Sequence, residues 1–199
     1  MTVSTKKQII IIYSGLQNSG KSSQRKKAKE KWELPDLSTG DEIRELIRKG
    51  DFSENSTTQK GGLNSDDLIF DIIKKHPASQ KPIFILDGAP RDEEQAAMLQ
   101  EEFPQEKFSQ VEFYLVELVI SEKEFQERLV GRLEEENRID DRDMEAVTRR
   151  KRIYQEETKP VIDKFPFKKR LSVCGDGKTK EQVFAEIEPF IESILKEVA

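Results

Sequence analysis

The residues with the clearest chemical purpose are Gly15, Gly20, Lys21 and Ser22 in "GLQNSGKSSQ", which satisfy the pattern GxxxxGK[ST]. A loop of this kind turns successive backbone N–H groups towards one point, where the start of the following helix helps them hold an anion. The lysine after the second glycine adds a point charge for the β- and γ-phosphates of a nucleotide. Composition alone produces the pattern in about one chain of this length in a hundred, so its surroundings decide. Here it follows the apolar run "QIIIIYS" and precedes a helix-forming stretch. A mere glycine turn with an exposed lysine would not need that strand–loop–helix setting. Gln17 and Asn18 fill the middle of the loop, and asparagine tolerates left-handed backbone angles better than other non-glycine residues.

Phosphoryl transfer needs positioning and positive charge more than covalent help, so convergent arginines should accompany such a loop. Their planar forks bind phosphate bidentately and stay charged. Arg128 and Arg132 are four apart and share a helix face. Asp87 and Arg91 lie just beyond the buried run "KPIFILD". Any one of these arginines in isolation reads as a surface ion pair.

The elements that must position these groups alternate. Gln8 to Tyr13 is short, continuous and β-branched, as expected of a strand buried on both faces of a parallel sheet. A helix follows from about Gly20 to Lys31. Ser38 or Thr39 can cap a second helix carrying Ile43, Leu46 and Ile47 on one face and ending near Gly50. "DFSENSTTQKGG" reads as a flexible connection, and Ser65 to Lys75 as a helix with Leu68, Ile69, Ile72 and Ile73 inward. "KPIFILD" is a second strand, "RDEEQAAMLQEEF" a helix and "QVEFYLVELV" a third strand. Ser121 with Glu124 forms a capping-box signature. "LEEENRIDD" interrupts that helix, and a long polar helix runs from about Asp143 to Lys164. "KRLSVCG" is the last strand, and Thr179 with Gln182 caps the terminal helix. This order predicts an α/β fold with a parallel sheet and ligands at the carboxyl ends of the strands.

The chain of 199 residues suits one domain, and its net charge of −5 disfavours nucleic-acid or anionic-membrane binding. The basic "RKKAKEK" is then the solvated face of the first helix. No apolar run reaches membrane-span length and the isoleucine run is too short for a signal-peptide core, so a cytoplasmic protein is expected. Cys174 stands alone, which excludes an internal disulfide and a multi-cysteine zinc site; it reads as a small core residue. His76 reads as a helix-end surface residue and Trp32 as a packing residue. Asp66 and Asp67 read as first-turn carboxylates, and Asp140 and Asp141 as ion-pair partners of nearby arginines.

Taken in order, "GLQNSGKSSQ", "LSTGDEIR", "GGLNSDDL", "FILDGAPRDEEQA", "RLVGR", "NRIDD" and "RRKRIYQEETKP" resemble the adenylate kinase family of nucleoside monophosphate kinases, from about Ile9 to Ile194. The resemblance implies a P-loop NTPase three-layer fold around a central five-stranded parallel sheet, with a small helical monophosphate-binding insertion and a short lid. The implied division is a core of 1–37, 68–132 and 143–199, a monophosphate-binding segment of 38–67 and a lid of 133–142. The implied reaction is reversible, Mg²⁺-dependent phosphoryl transfer from ATP to AMP, giving two ADP, by a monomer. Rival readings are a kinase for UMP, CMP or a deoxynucleotide, and a nucleotide-binding protein with impaired turnover.

Carried over by position, Lys21, Arg91, Arg132, Arg138 and Arg149 are the catalytic set. ATP falls to Gly15, Asn18, Ser19, Gly20, Lys21, Ser22, Ser23, Arg128 and Gly177, with Arg128 stacking on the adenine. AMP falls to Thr39, Arg44, Asn64, Gly88, Arg91 and Gln95, of which Thr39 and Gln95 match positions that read adenine. Asp87 matches a carboxylate that orients magnesium-bound water, with Ser22 or Ser23 nearby. Gln17, Asn18, Ser22, Ser23, Asn64 and Ala89 depart from the family pattern and touch binding contacts, while the charge-handling residues remain. "LEEEN" alone separates Arg132 from Arg138, hence the short lid.

Overall fold

In a computed structural model the described residues are 7–50, 65–103, 108–135 and 143–197. Five strands form one parallel sheet: β1 (Lys7–Gly15), β2 (Asp36–Ser38), β3 (Ile83–Asp87), β4 (Gln110–Val119) and β5 (Lys169–Cys174), in the order β2-β3-β1-β4-β5. The isoleucine run explains why β1 is central. Ile10 and Ile12 enter one core with Phe84, Leu86 and Leu115, whereas Ile9, Ile11 and Tyr13 enter the other with Tyr114, Val116 and Ile187. Both faces of the strand are therefore covered, as the unbroken apolar pattern demands. Strand order reverses on either side of β1, so its carboxyl end is the topological switch point where an open α/β sheet binds ligand.

The helices are α1 (Lys21–Trp32), α2 (Thr39–Arg48), α3 (Asp66–Lys75), α4 (Glu93–Glu102), α5 (Glu122–Glu135), α6 (Met144–Ile153), α7 (Lys159–Lys164) and α8 (Lys180–Leu195). Helix α1 packs against α8, with Trp32 against Phe184 at 5.7 Å between ring centroids. The basic face of α1 is partly paired with α8: Lys27 meets Glu181 at 3.0 Å and Lys31 meets Glu188. At the end of α3, His76 is half-buried, and its Nδ1 accepts from the N–H of Ala78 at 3.1 Å. Asp66 and Asp67 stand in the first turn of that helix. Among the described residues no helix is long and apolar enough to cross a membrane.

Five local readings are corrected or refined. Strand β2 is three residues long, too short to show a period of its own or to stand apart in sequence from the approach to α2. Ser38 rather than Thr39 caps α2, accepting from the N–H of Asp41 at 3.4 Å. The predicted helix from Asp143 to Lys164 is α6 and α7 joined by a π-helical turn at Tyr154–Thr158. Cys174 is exposed, because it ends β5 on the face opposite buried Val173. The Thr179–Gln182 capping box is complete. At α5 only half of the expected box forms: Ser121 Oγ accepts from the Glu124 N–H, while the Glu124 carboxylate accepts from Arg128 and Gly177 instead.

Candidate active site

The loop after β1 is shaped by close approach. A Cβ on Gly15 would lie 2.4 Å from the Leu118 carbonyl oxygen and 2.8 Å from Ser19 Oγ, so only glycine fits. Asn18 takes a left-handed conformation, φ 65°, the geometry its residue type tolerates. Lys21 Nζ donates to the carbonyls of Gly15 at 2.6 Å and Leu16 at 3.0 Å, so the ammonium is held over the loop. Arg128, on α5, clamps the loop from outside. Its Nη1 donates to Asn18 and Ser19 carbonyls at 3.3 and 3.1 Å, its Nη2 to the Gly175 carbonyl at 2.5 Å, and its Nε to Glu124 at 2.7 Å.

On the other side of the switch point, Asp87 ends β3 and is buried. Gly88 follows with φ 95°, and a Cβ there would meet Thr39 Oγ1 at 2.4 Å. Thr39 is fully buried and donates to the Gly88 carbonyl at 3.1 Å. Arg91 Nε donates to the same carbonyl at 2.9 Å. Burial first, then the charges of Arg150 and Arg44, pull the Arg91 guanidinium below its ordinary value, with Asp87 opposing. Three guanidinium groups thus share one neighbourhood, and an arginine stays charged there. Such a concentration of cations is a phosphate site in electrostatic terms.

A cavity of about 780 Å³ joins the two sides, within the range of roughly 300–1,000 Å³ common for small-molecule sites. Of the candidate residues, Gly15, Asn18, Ser19, Gly20, Lys21, Ser22, Ser23, Arg44, Asp87, Gly88, Arg91 and Arg128 line it. Thr39, Gln95 and Gly177 do not. Gln95 is buried and held by protein: its Oε1 accepts from the Arg91 N–H at 3.0 Å, and its Nε2 donates to Asp66 at 2.8 Å and Asp92 at 2.9 Å. Burial and the neighbouring Asp66 push the Asp92 carboxyl above its usual range. Gly177 donates its N–H to Glu124 at 3.2 Å. Asn64, Arg138, Asp140 and Asp141 lie outside the described residues, as does the side chain of Arg132.

Arg149 is not brought to the cavity. It lines a separate depression with Met144, Glu145, Thr148 and Arg152, and the neighbouring Arg150 lines the cavity in its place. The phase of α6 explains this. Ala146 and Val147 are buried and set the inward face, and a helix returns to that face three and four residues later, at Arg150. That apolar pair was the sequence signal for Arg150. Tyr13 and Tyr154 also line the cavity, a placement that no motif in the sequence signals. Burial foremost pushes both phenols up, Asp87 adding to the effect at Tyr13 and Glu117 at Tyr154.

A glycine loop at the switch point of a parallel sheet, with arginines facing it across one cavity, defines the class of P-loop nucleotide-binding phosphotransferases. Comparison with known proteins narrows the class. The family model described as "Adenylate kinase" matches residues 13–170. The chain is 30% identical to adenylate kinase of Archaeoglobus fulgidus, with 92% of this chain and 98% of that protein covered. It is 30% identical to the enzyme of Phocaeicola vulgatus over the same shares, and 33% identical to that of Stenotrophomonas maltophilia over 86% and 93%. The chain belongs to the adenylate kinase family, and its enzyme class is that of the nucleoside monophosphate kinases.

Proposed function

We propose that the chain transfers the γ-phosphoryl group of ATP to AMP, reversibly and with Mg²⁺, giving two ADP. The observation that carries this reading is the single cavity in which the glycine loop faces Arg44, Arg91 and Arg150. A donor loop alone would suit any nucleotide-binding protein; cations opposite it supply a place for a second phosphate.

In this reading the loop N–H groups and Lys21 hold the donor phosphates, and Arg128 carries the donor adenine while tethering the loop. Arg44 and Arg91 hold the acceptor phosphate. Arg150, in place of Arg149, joins Arg132 and Arg138 in stabilising charge on the transferring group. Thr39 and Gln95 act on the acceptor base side, through the Gly88 turn and the Arg91 N–H they hold. Magnesium takes few protein ligands and keeps several waters, so one carboxylate with a hydroxyl and the substrate phosphates suffices. Asp87 at the end of β3 and the Ser22 or Ser23 hydroxyl, all lining the cavity, fit that donor set. When bound, the ion neutralises charge between the donor phosphates. The chain's own residues orient the acceptor oxygen and exclude water from it.

The core is assigned as 1–37, 68–132 and 143–199, with the monophosphate-binding segment at 38–67 and the lid at 133–142; much of the last two lies outside the described residues. A cytoplasmic monomer acting on free nucleotides is the corresponding cellular reading, and the net charge of −5 supports the lack of a nucleic-acid partner. The test is incubation of the protein with ATP, Mg²⁺ and each of AMP, CMP, UMP and dAMP. ADP should form fastest with AMP. Preference for another acceptor would reassign the substrate, and nucleotide binding without turnover would reject the activity.

A further inference from the structure

Arg25 belongs to no sequence motif and lies in the second turn of α1, behind the phosphate loop. Its side chain is only 5% exposed, and it faces three carboxylates from three different elements. Nη1 pairs with Asp36 of β2 at 2.9 Å and Nη2 with Asp41 in the first turn of α2 at 2.5 Å. Nε stands 3.9 Å from Asp87, with no hydrogen-bond partner of its own among the described residues. Two of these carboxylates reach further cations: Asp36 meets Lys29 at 2.7 Å, and Asp41 meets Arg44 at 2.5 Å. Burial raises the Asp41 carboxyl, but the bond from Arg44 and the charges of Arg25 and Arg44 hold it below its usual range.

We propose that Arg25 is a positioning residue for the acceptor phosphate, an inference that rests on the kinase reading above. A continuous path runs from the donor helix through Arg25 and Asp41 to Arg44. The Arg25 fork fixes the face of Asp41 that remains for Arg44, and so fixes where the Arg44 guanidinium meets the cavity. Nothing on this path touches the contacts that shape the donor loop, which are the Gly15 close approach, the Lys21 carbonyl bonds and the Arg128 clamp. Loss of Arg25 therefore separates the two substrates, whereas a residue that merely held the fold together would affect both.

The test is steady-state kinetics on Arg25→Met, Arg25→Lys, Asp41→Asn and Arg25→Met/Asp41→Asn, with ATP and AMP varied separately and thermal unfolding followed in parallel. The KM for AMP should rise roughly tenfold or more in Arg25→Met, the scale of one charge-assisted hydrogen bond. The KM for ATP should stay within about twofold, since uniform binding at the donor loop is untouched. Lysine cannot bridge two carboxylates with a planar fork, so Arg25→Lys should fall between wild type and Arg25→Met. The double variant should add little to Asp41→Asn, because both changes cut one path. If Arg25→Met does not fold, Arg25→Lys and Asp41→Asn read the same split, Asp41 being half-exposed and Arg25 retaining Asp36. Equal shifts in both KM values, no shift in folded variants, or additivity in the double variant would each overturn the proposal. Calorimetric binding of AMP and of ATP reads the split without turnover. An inactive wild type would thus reject the kinase reading while the position of Arg25 is still judged.

Discussion

On the donor side of the cavity, the loop from Gly15 to Ser23 combines local features, an asparagine in left-handed conformation and a lysine bonded to carbonyls five and six residues back, with two distant supports, the Leu118 carbonyl that bars a Cβ on Gly15 and the Arg128 clamp. On the acceptor side each functional group depends on residues far away in the chain. Thr39 bonds Gly88 across 49 positions, Gln95 bonds Asp66 across 29, and Arg44 shares Asp41 with Arg25 of α1. The donor loop thus carries part of its shape in local backbone preferences and leans on β4 and α5 for the rest, whereas the acceptor site depends on packing throughout the α2, β3 and α1 junction.

That contrast can be broken by substitution. The largest effect belongs to Lys21→Met, which should lower kcat by about a thousandfold, the upper range for removing one preorganised charge donor. Initial rates with saturating ATP and AMP measure it, and a loss below about tenfold would detach the loop from the chemistry. Next comes the pair Arg150→Ala and Arg149→Ala. The first should lower kcat by roughly a hundredfold and the second by less than about twofold. Equal losses would show that α6 presents both arginines to the transferring phosphate.

Gly88→Ala sharpens the acceptor half. The new Cβ would collide with Thr39 Oγ1 at 2.4 Å and take a backbone angle of φ 95°. A loss of about 1–3 kcal/mol in unfolding free energy is expected, partly restored by Thr39→Ala, which removes the colliding hydroxyl but not the strain. Denaturant unfolding of the single and double variants measures the coupling.

The smallest effect lies away from the cavity. Bonds first from Lys168, then from Lys169 and Tyr114, lower the Glu197 carboxyl to about 2. Its folded value is depressed, so its stabilisation is complete above the ordinary carboxylate value and is lost as pH falls towards 2. Glu197→Gln should therefore lower the Tm slightly at neutral pH, and the difference from wild type should shrink as the solution is acidified. AMP turnover should be unchanged, because this cluster lies at the opposite end of the sheet from the loop.

Local patterns made the donor side legible. The isoleucine run, the fixed glycine spacing and the angular tolerance of Asn18 all act within a few residues, and β1 and its loop stand where they were expected. What the sequence hid depends on tertiary phase. Two adjacent arginines in "RRKRIY" satisfy a motif equally well, and only the inward face set by Ala146 and Val147 separates Arg150 from Arg149. Strand β2 gains its identity from pairing with β3 and not from three residues of its own. Cys174 followed the general habit of cysteine for burial, but one face of an edge strand is open here. Arg25 escaped notice because a basic residue in "RKKAKEK" reads as solvated, and only the fold brings Asp36, Asp41 and Asp87 around it.

If one cavity holds both nucleotides, as proposed, ADP as the sole nucleotide must occupy both of its halves and tests that reading most directly. Purified protein with Mg²⁺ and ADP should produce ATP and AMP in equal amounts, followed by phosphorus NMR or chromatography. Unchanged ADP, or AMP accompanied by free phosphate and no ATP, would contradict the account.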